Sequence, residues 1–332
     1  MKYDFITVGG ATRDISFFTD QGVLIDNKKD ILRQRLLGFE YGAKIKVDKF
    51  YYSFGGGAAN AAVCLSNFGL NTACLACLGG DEGEKTIINN FKEYHVKTNL
   101  IKINKSAESG SSFILVSPSG ERIIFGSRGA NHELVIDKHD LKILKETANI
   151  YLSSLSGAWL KNLRSIFSVV TKDGPKIFWN PGGQQLRAGL KKIAPFLKKT
   201  TVFSINKDEA IELILSSDRH RTLTNSFLNK EENLLEIIKS FGPKIVIITM
   251  GENGVIASDD KKTYHHQIIK EKKRVDTTGI GDVFNSSFAA GFVCFSDLDR
   301  ALVLALHNTA AKISHLGAQN GLLIKNLKKN NL

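Results

Sequence analysis

The segment Val275-Asp276-Thr277-Thr278-Gly279-Ile280-Gly281-Asp282 sets a carboxylate against glycines at the entrance to an apolar helix expected over 283–295. Glycines just before a helix let the chain turn tightly and aim free backbone N–H groups at an anion. The helix dipole adds favourable potential at the same point. Gly279, Ile280 and Gly281 are therefore a candidate anion cradle. Asp282 falls in the first helical turn, where the dipole favours its ionised form. A carboxylate beside such a cradle can take a hydroxyl proton while the cradle neutralises phosphate charge. A mere helix cap at Asp282 would not call for the two threonines and two glycines before it.

Phe54-Gly55-Gly56-Gly57-Ala58-Ala59-Asn60 is a second such segment. Gly55, Gly56 and Gly57 lead from a strand into a helix of small residues, so a ligand can approach the backbone closely. Asn60 offers a donor and an acceptor near the helix start, which suits a sugar hydroxyl. Tight packing alone accounts for many glycine-rich turns, so this segment is weaker evidence than the first. No Gly-Lys-Ser or Gly-Lys-Thr ending follows, so it is not a Walker loop.

Groups some 220 residues apart can meet only on a rigid frame. From about residue 140 the sequence alternates short apolar strands, at 149–155, 176–180, 201–205 and 244–249, with amphipathic helices such as 206–215 and 232–241. Strands this rich in Ile, Val and Phe suit a mostly parallel sheet covered by helices on both faces, a doubly wound α/β core. Residues 3–8 start that sheet, and a helix at 58–68 feeds another strand at 72–78. Segments of alternating polarity at 44–47, 50–54, 100–103, 111–116 and 122–125 predict a small antiparallel β lid. Pro118-Ser119-Gly120 supplies hairpin turn chemistry between the last two. The whole of 1–332 is expected to be one domain, with lid strands from roughly 15–54 and 98–127.

Composition narrows the partners. Of 332 residues, 42% are hydrophobic and 23% charged, enough to bury a sizeable core. The net charge of +12 is spread over scattered lysine pairs rather than a basic stripe, which argues against specific nucleic-acid binding. A positive field would still draw in anionic nucleotides. No apolar run is long enough for a membrane span, and the N-terminal segment has no signal-peptide pattern, so the expected location is cytoplasmic. Cys74 and Cys77 form a lone C-x-x-C without a second ligand pair; they read, with Cys64 and Cys294, as thiols without chemistry.

The two glycine segments, in this order and at this separation, resemble the two signatures of the ribokinase-like (PfkB) carbohydrate kinases, and the resemblance covers essentially the whole chain. It implies an ATP-dependent phosphotransferase with Asp282 as general base and an anion hole of Gly279, Ile280 and Gly281. By the same resemblance Asp14, in Gly9-Gly10-Ala11-Thr12-Arg13-Asp14, binds sugar hydroxyls together with Gly55, Gly56, Gly57 and Asn60. Asn206 and Glu209 match an Asn-x-x-Glu motif that organises magnesium and its waters; they also have the spacing of a capping box. Thr249, Gly251, Gly254, Thr278 and Asn308 match nucleotide-binding positions. Some members hold a monovalent cation such as K+ behind the cradle, and the matching residues are Asp276, Thr278, Ser314 and Gly317. The family also implies a homodimer through the lid.

The acceptor is read less sharply. Asn180 ends a strand where it could reach the site, or it simply starts a turn. Phe113 and Phe125 either stack on a purine, which suits a nucleoside, or fill the hydrophobic underside of a two-sided lid. Arg13 and Arg128 could each contact an anionic group or remain solvated. A non-catalytic ligand-binding regulator is the remaining reading; intact Asp282 and cradle glycines argue against it.

Overall fold

Side chains along a strand point alternately to the two faces of a sheet, and this chain buries both. Ile6, Val8, Ile150, Leu152, Ile177, Trp179, Phe203, Ile205, Val246 and Ile248 face one apolar layer. Phe5, Cys74, Tyr151, Phe178, Val202, Ile245 and Ile247 face the other. Only a sheet sandwiched between helices can use such runs. The computed structural model describes residues 2–27, 35–116 and 122–328 and contains that sheet.

Its eight strands lie in the order Thr263–His266, Val255–Ser258, Ile245–Thr249, Val202–Asn206, Lys176–Trp179, Asn149–Leu152, Phe5–Val8 and Thr72–Leu75. The six from Ile245–Thr249 to Thr72–Leu75 run parallel; the first two join as an antiparallel edge. Trp179 anchors one layer with Phe167, Phe196 and Phe203 at ring separations of 5.8, 6.4 and 5.5 Å. Parallel strands put their carboxyl ends on one edge, where open α/β sheets bind ligands.

A second sheet orders Arg122–Ser127, Gly110–Val116, Thr12–Phe18 and Lys49–Gly55. The sheet was expected to be antiparallel, but its middle pairing is parallel: Thr12–Phe18 runs alongside Gly110–Val116. The outer pairs are antiparallel. Thr12–Phe18 follows Phe5–Val8 after three residues, so the lid grows directly from a core strand.

Three sequence expectations need correction. Residues 44–47 are not a strand; this segment is a loop tied by Asp48 N–H to the Phe18 carbonyl at 3.0 Å and by Lys46 N–H to Gln21 Oε1 at 3.0 Å. Its alternation of Lys with Ile and Val mimics a strand without a neighbouring backbone to pair with. Residues 72–78 break into Thr72–Leu75 of the core and Cys77–Gly79, which pairs with Lys102–Asn104 in a separate two-stranded sheet. Consequently the segment from 98 to 109 serves that small sheet, and the lid begins at Gly110. The Pro118-Ser119-Gly120 turn lies outside the described residues, although the strands flanking it pair as a hairpin would, Phe113 opposite Phe125.

Among the described residues no helix is long and apolar enough to cross a membrane. Burial pushes the Cys64 thiol up to about 11 and the Cys74 thiol up to about 12, which makes both inert fillers at neutral pH.

Candidate active site

The helix Ile280–Phe295 starts from Gly279, which takes a left-handed conformation at φ 72°. A side chain on Gly279 would also strike Ala318, 2.5 Å from the position of its Cβ. Gly281 differs: a Cβ there would meet nothing within 4 Å, so its backbone faces open space. The first turn of this helix therefore offers N–H groups to an incoming anion.

Asp282 stands half-buried in that turn. Asn60 Nδ2 donates to Asp282 Oδ2 at 2.8 Å, across a sequence separation of 222. The Asn60 carboxamide is itself oriented from behind. Gln319 Nε2 donates to Asn60 Oδ1 at 3.0 Å, and Asn90 Nδ2 donates to Gln319 Oε1 at 2.8 Å. All three amides are buried, so their dipoles are fixed in one direction along the chain Asn90, Gln319, Asn60, Asp282. Gln319 and Asn90 carry no motif and stand beside other polar residues, Asn320 and Asn89, so the sequence offers no signal that sets them apart.

The triple-glycine turn sits between two carboxylates. A Cβ on Gly55 would lie 2.2 Å from Asp14 Oδ2, and one on Gly57 would lie 3.1 Å from Asp282 Oδ1 and 1.9 Å from Ser153 Oγ. Gly56, at φ 89°, packs against the Gly10 carbonyl. These positions bring Asp14, the turn and Asp282 into direct proximity. Asp14 is buried and accepts from Thr12 Oγ1 at 2.9 Å, with Ser112 as a further donor. Burial holds the Asp14 carboxyl above its ordinary range, the Thr12 and Ser112 donors opposing it and the charge of Asp276 adding to it. Burial also raises Asp282, against the Asn60 donor, and the nearby charge of Asp14 raises it further. A raised carboxylate is a better proton acceptor than a solvated one.

Behind the cradle, Asp276 Oδ1 accepts from Thr278 N–H at 2.8 Å and Thr278 Oγ1 at 2.7 Å, and Oδ2 accepts from Gly317 N–H at 2.8 Å. Burial favours the protonated form of Asp276, but the Lys312 charge and the Thr278 and Gly317 donors outweigh it and hold the pKa below the usual carboxylate value. Ser314 Oγ is directed elsewhere, donating to the Lys273 carbonyl at 3.0 Å.

Asn206 and Glu209 form a full capping box on the helix Lys207–Leu215. Asn206 Oδ1 accepts from Glu209 N–H at 2.8 Å and Glu209 Oε2 accepts from Asn206 N–H at 2.9 Å. Burial raises the Glu209 carboxyl against that backbone donor, with Glu212 and Asp208 adding their charge. Thr249 ends the adjoining strand on the same sheet edge, followed by the short turn of Gly251–Asn253 and by Gly254 at φ 86°. Asn180 follows the end of its strand too, but its Nδ2 donates to the Ser204 carbonyl at 2.9 Å, in the middle of the neighbouring strand.

Asn308 is corrected. It is fully buried, its Nδ2 donating to Ser287 Oγ at 2.8 Å and Cys64 Sγ at 3.4 Å, its Oδ1 accepting from Leu323 N–H at 2.7 Å. A carboxamide so engaged clamps its own helix to two others and to a following loop, and it has no group left for a nucleotide.

Strand register sets the aromatics apart from Asp14. Asp14 pairs with Ser53 and Ser112, while Ile15 pairs with Tyr52 and Phe113, which in turn faces Phe125. Phe113, Phe125, Phe50 and Tyr52 thus share the face opposite Asp14, with exposures of 47, 56, 61 and 67%. Arg13 belongs to that far face as well. Arg128 is exposed and borders a small cleft with Gly10, Asn131 and Ser154.

A family model described as pfkB family carbohydrate kinase matches residues 24–325. An uncharacterized sugar kinase of Archaeoglobus fulgidus is 29% identical over 78% of this chain and 97% of its own. An ATP-dependent 6-phosphofructokinase of Thermoanaerobacterium thermosaccharolyticum is 26% identical over 91% of this chain and 93% of its own. The structure of Arabidopsis thaliana ribokinase complexed with ribose and ATP superposes with a TM-score of 0.78 at 19% identity, covering 99% and 97% of the two chains.

Proposed function

The chain belongs to the pfkB family of carbohydrate kinases, ATP-dependent phosphotransferases, and from that premise we propose that it phosphorylates a hydroxyl of a small neutral or charged sugar, with Asp282 as the base. The observation that carries this reading is the close grouping of Asp282 and Asp14 on either side of the turn Gly55, Gly56 and Gly57.

Asp14 and the Asn60 carboxamide hold the acceptor by its hydroxyls. Asp282 takes the proton of the attacking hydroxyl, whose oxygen forms the new bond to the γ-phosphorus as the bond to the β,γ-bridging oxygen breaks and ADP leaves. The N–H groups of Gly279, Ile280 and Gly281 face the charge spread over the transferring phosphoryl oxygens. Little else is asked of side chains in such a transfer, because positioning and charge neutralisation supply most of the rate. ATP lies along the sheet edge at Asn206, Thr249, Gly251, Gly254 and Thr278. Glu209, a half-buried hard-oxygen donor on that edge, fits magnesium held through its waters, and magnesium supplies neutralisation of the nucleotide's phosphate charge.

A sugar is favoured over a nucleoside by the lid. An acceptor on the Asp14 face meets Thr12, Ser112 and Asn60, all hydrogen-bonding groups, whereas Phe113 and Phe125 point to the other side. That apolar outer face supports pairing of two copies through their lids. An acceptor screen with ATP and magnesium, read by ADP release, tests the assignment. Turnover with a pentose, hexose or sugar phosphate is expected; a nucleoside that outperforms every sugar by orders of magnitude replaces the sugar reading.

A further inference from the structure

Lys312 has no solvent exposure, although it lies in the largely apolar helix Leu298–Ile313. Charged side chains are rarely buried this deeply unless a partner compensates them. Its Nζ donates to the Asp276 carbonyl at 2.8 Å and stands 3.6 Å from Asp276 Oδ2. Asp276 in turn gathers Thr278 from the cradle side and Gly317 from the following loop, whose neighbour Ala318 packs on Gly279. The ammonium is thus the positive centre of the turn that shapes the anion cradle.

The residues matched to a monovalent-cation site do not fit a free ion here. The Asp276 carboxylate is already neutralised by Lys312 and holds three further donor contacts. Gly317 presents an N–H to it, and Ser314 turns its hydroxyl to Lys273. A potassium ion beside Asp276 would lie against a buried like charge with few oxygens to replace its water. Like charges at such range repel strongly where solvent cannot screen them.

We propose that the Lys312 ammonium is a built-in cation that substitutes for a bound monovalent ion and holds the Asp276 turn, so that this kinase works without potassium. Lys312 is a positioning residue: it touches the turn and not the reacting atoms. The inference uses the cradle assigned under the proposed function, and its test has one arm independent of that assignment.

Thermal unfolding of the full chain is followed in tetramethylammonium, sodium and potassium chloride at equal ionic strength, for the native protein, Lys312→Ala and Lys312→Met. Calorimetric binding of magnesium with a non-hydrolysable ATP analogue is measured in the same salts. The native protein should show the same Tm and affinity in all three. Lys312→Ala should lose affinity by roughly tenfold or more in tetramethylammonium, the scale of one charge-assisted contact, and regain much of it selectively in potassium. Lys312→Met, whose side chain fills the space, should lose affinity without that rescue. A saturable, potassium-specific rise in native Tm or affinity overturns the proposal, as does a Lys312→Ala variant with native affinity in tetramethylammonium or with a loss that no cation restores. Should neither variant fold, the native salt series alone decides. A native protein that binds no nucleotide in any salt removes the kinase reading instead, and the Tm arm still judges Lys312.

Discussion

Asn60 and Asp282, 222 residues apart, are joined by a hydrogen bond of 2.8 Å that ties the helix after the triple-glycine turn to the start of the cradle helix. The donor opposes the burial that raises Asp282 and the charge of Asp14 that raises it further, so the proton affinity of this carboxylate is set by desolvation, one oriented amide and a neighbouring acid.

Replacing Asp282 by Asn should separate binding from chemistry. Transfer should slow by about 10²–10⁴-fold, the range for loss of a general base, while ATP-analogue affinity stays near native. The raised pKa also carries a stability sign. A carboxyl whose folded pKa exceeds its unfolded value stabilises the fold below the unfolded pKa and loses that contribution as pH rises through the folded one. At neutral pH the neutral Asn should therefore leave Tm equal or higher. Near-native turnover, measured by ADP release, would remove Asp282 from the mechanism.

The acid limb of the pH–rate profile should lie above the ordinary carboxylate range, with activity falling as pH drops through the raised Asp282 pKa. Gln319→Leu frees the Asn60 amide to turn away from the base. The limb should then move further up, with about a tenfold rate loss at neutral pH, the worth of one hydrogen bond to a charged group. An unmoved limb in that variant would show the amide chain to be packing alone.

What could be read from the residues was whatever sits in a local pattern. The cradle, the glycine turn, the capping box of Asn206 and Glu209, and the two-sided core strands are all contiguous signals. The structure added what depends on distant partners. Asn90 and Gln319, 229 positions apart, become meaningful only when the fold brings them together. Asn308 looked available because spacing cannot reveal that Ser287, Cys64 and Leu323 would consume its amide. In the sequence Lys312 is one lysine among many, set apart only by its place within a largely apolar helix.

Gly55 and Gly281 make a paired test of why each lacks a side chain. Gly55→Ala drives a methyl into the Asp14 carboxylate, 2.2 Å from its Cβ position, and should destabilise by about 1–3 kcal/mol and weaken acceptor binding. Gly281→Ala meets nothing within 4 Å, and its better helix propensity should add about 0.5–1 kcal/mol. That methyl would nonetheless crowd the phosphoryl group, and transfer should fall by roughly 10²-fold, the scale of a lost oxyanion donor. Unfolding and initial-rate measurements on the two variants check the contrast; an active Gly281→Ala enzyme would empty the cradle of its role.

The outer lid face gives a prediction about assembly. Phe50→Ser together with Tyr52→Ser should turn a dimer into a monomer by light scattering, since these rings are 61 and 67% exposed in the isolated chain. A native protein that is monomeric at all concentrations would leave those rings without a partner copy.

Period-two alternation has a mechanical consequence. Asp14 and Ile15 are neighbours on one backbone, so whatever displaces the first toward an occupant displaces the second, with Tyr52 and Phe113 beside it, by the same amount. A ribbon this thin cannot keep its two surfaces independent. If copies associate through the aromatic side, filling one pocket must alter the seam, and saturation curves for the acceptor should depart from a simple hyperbola.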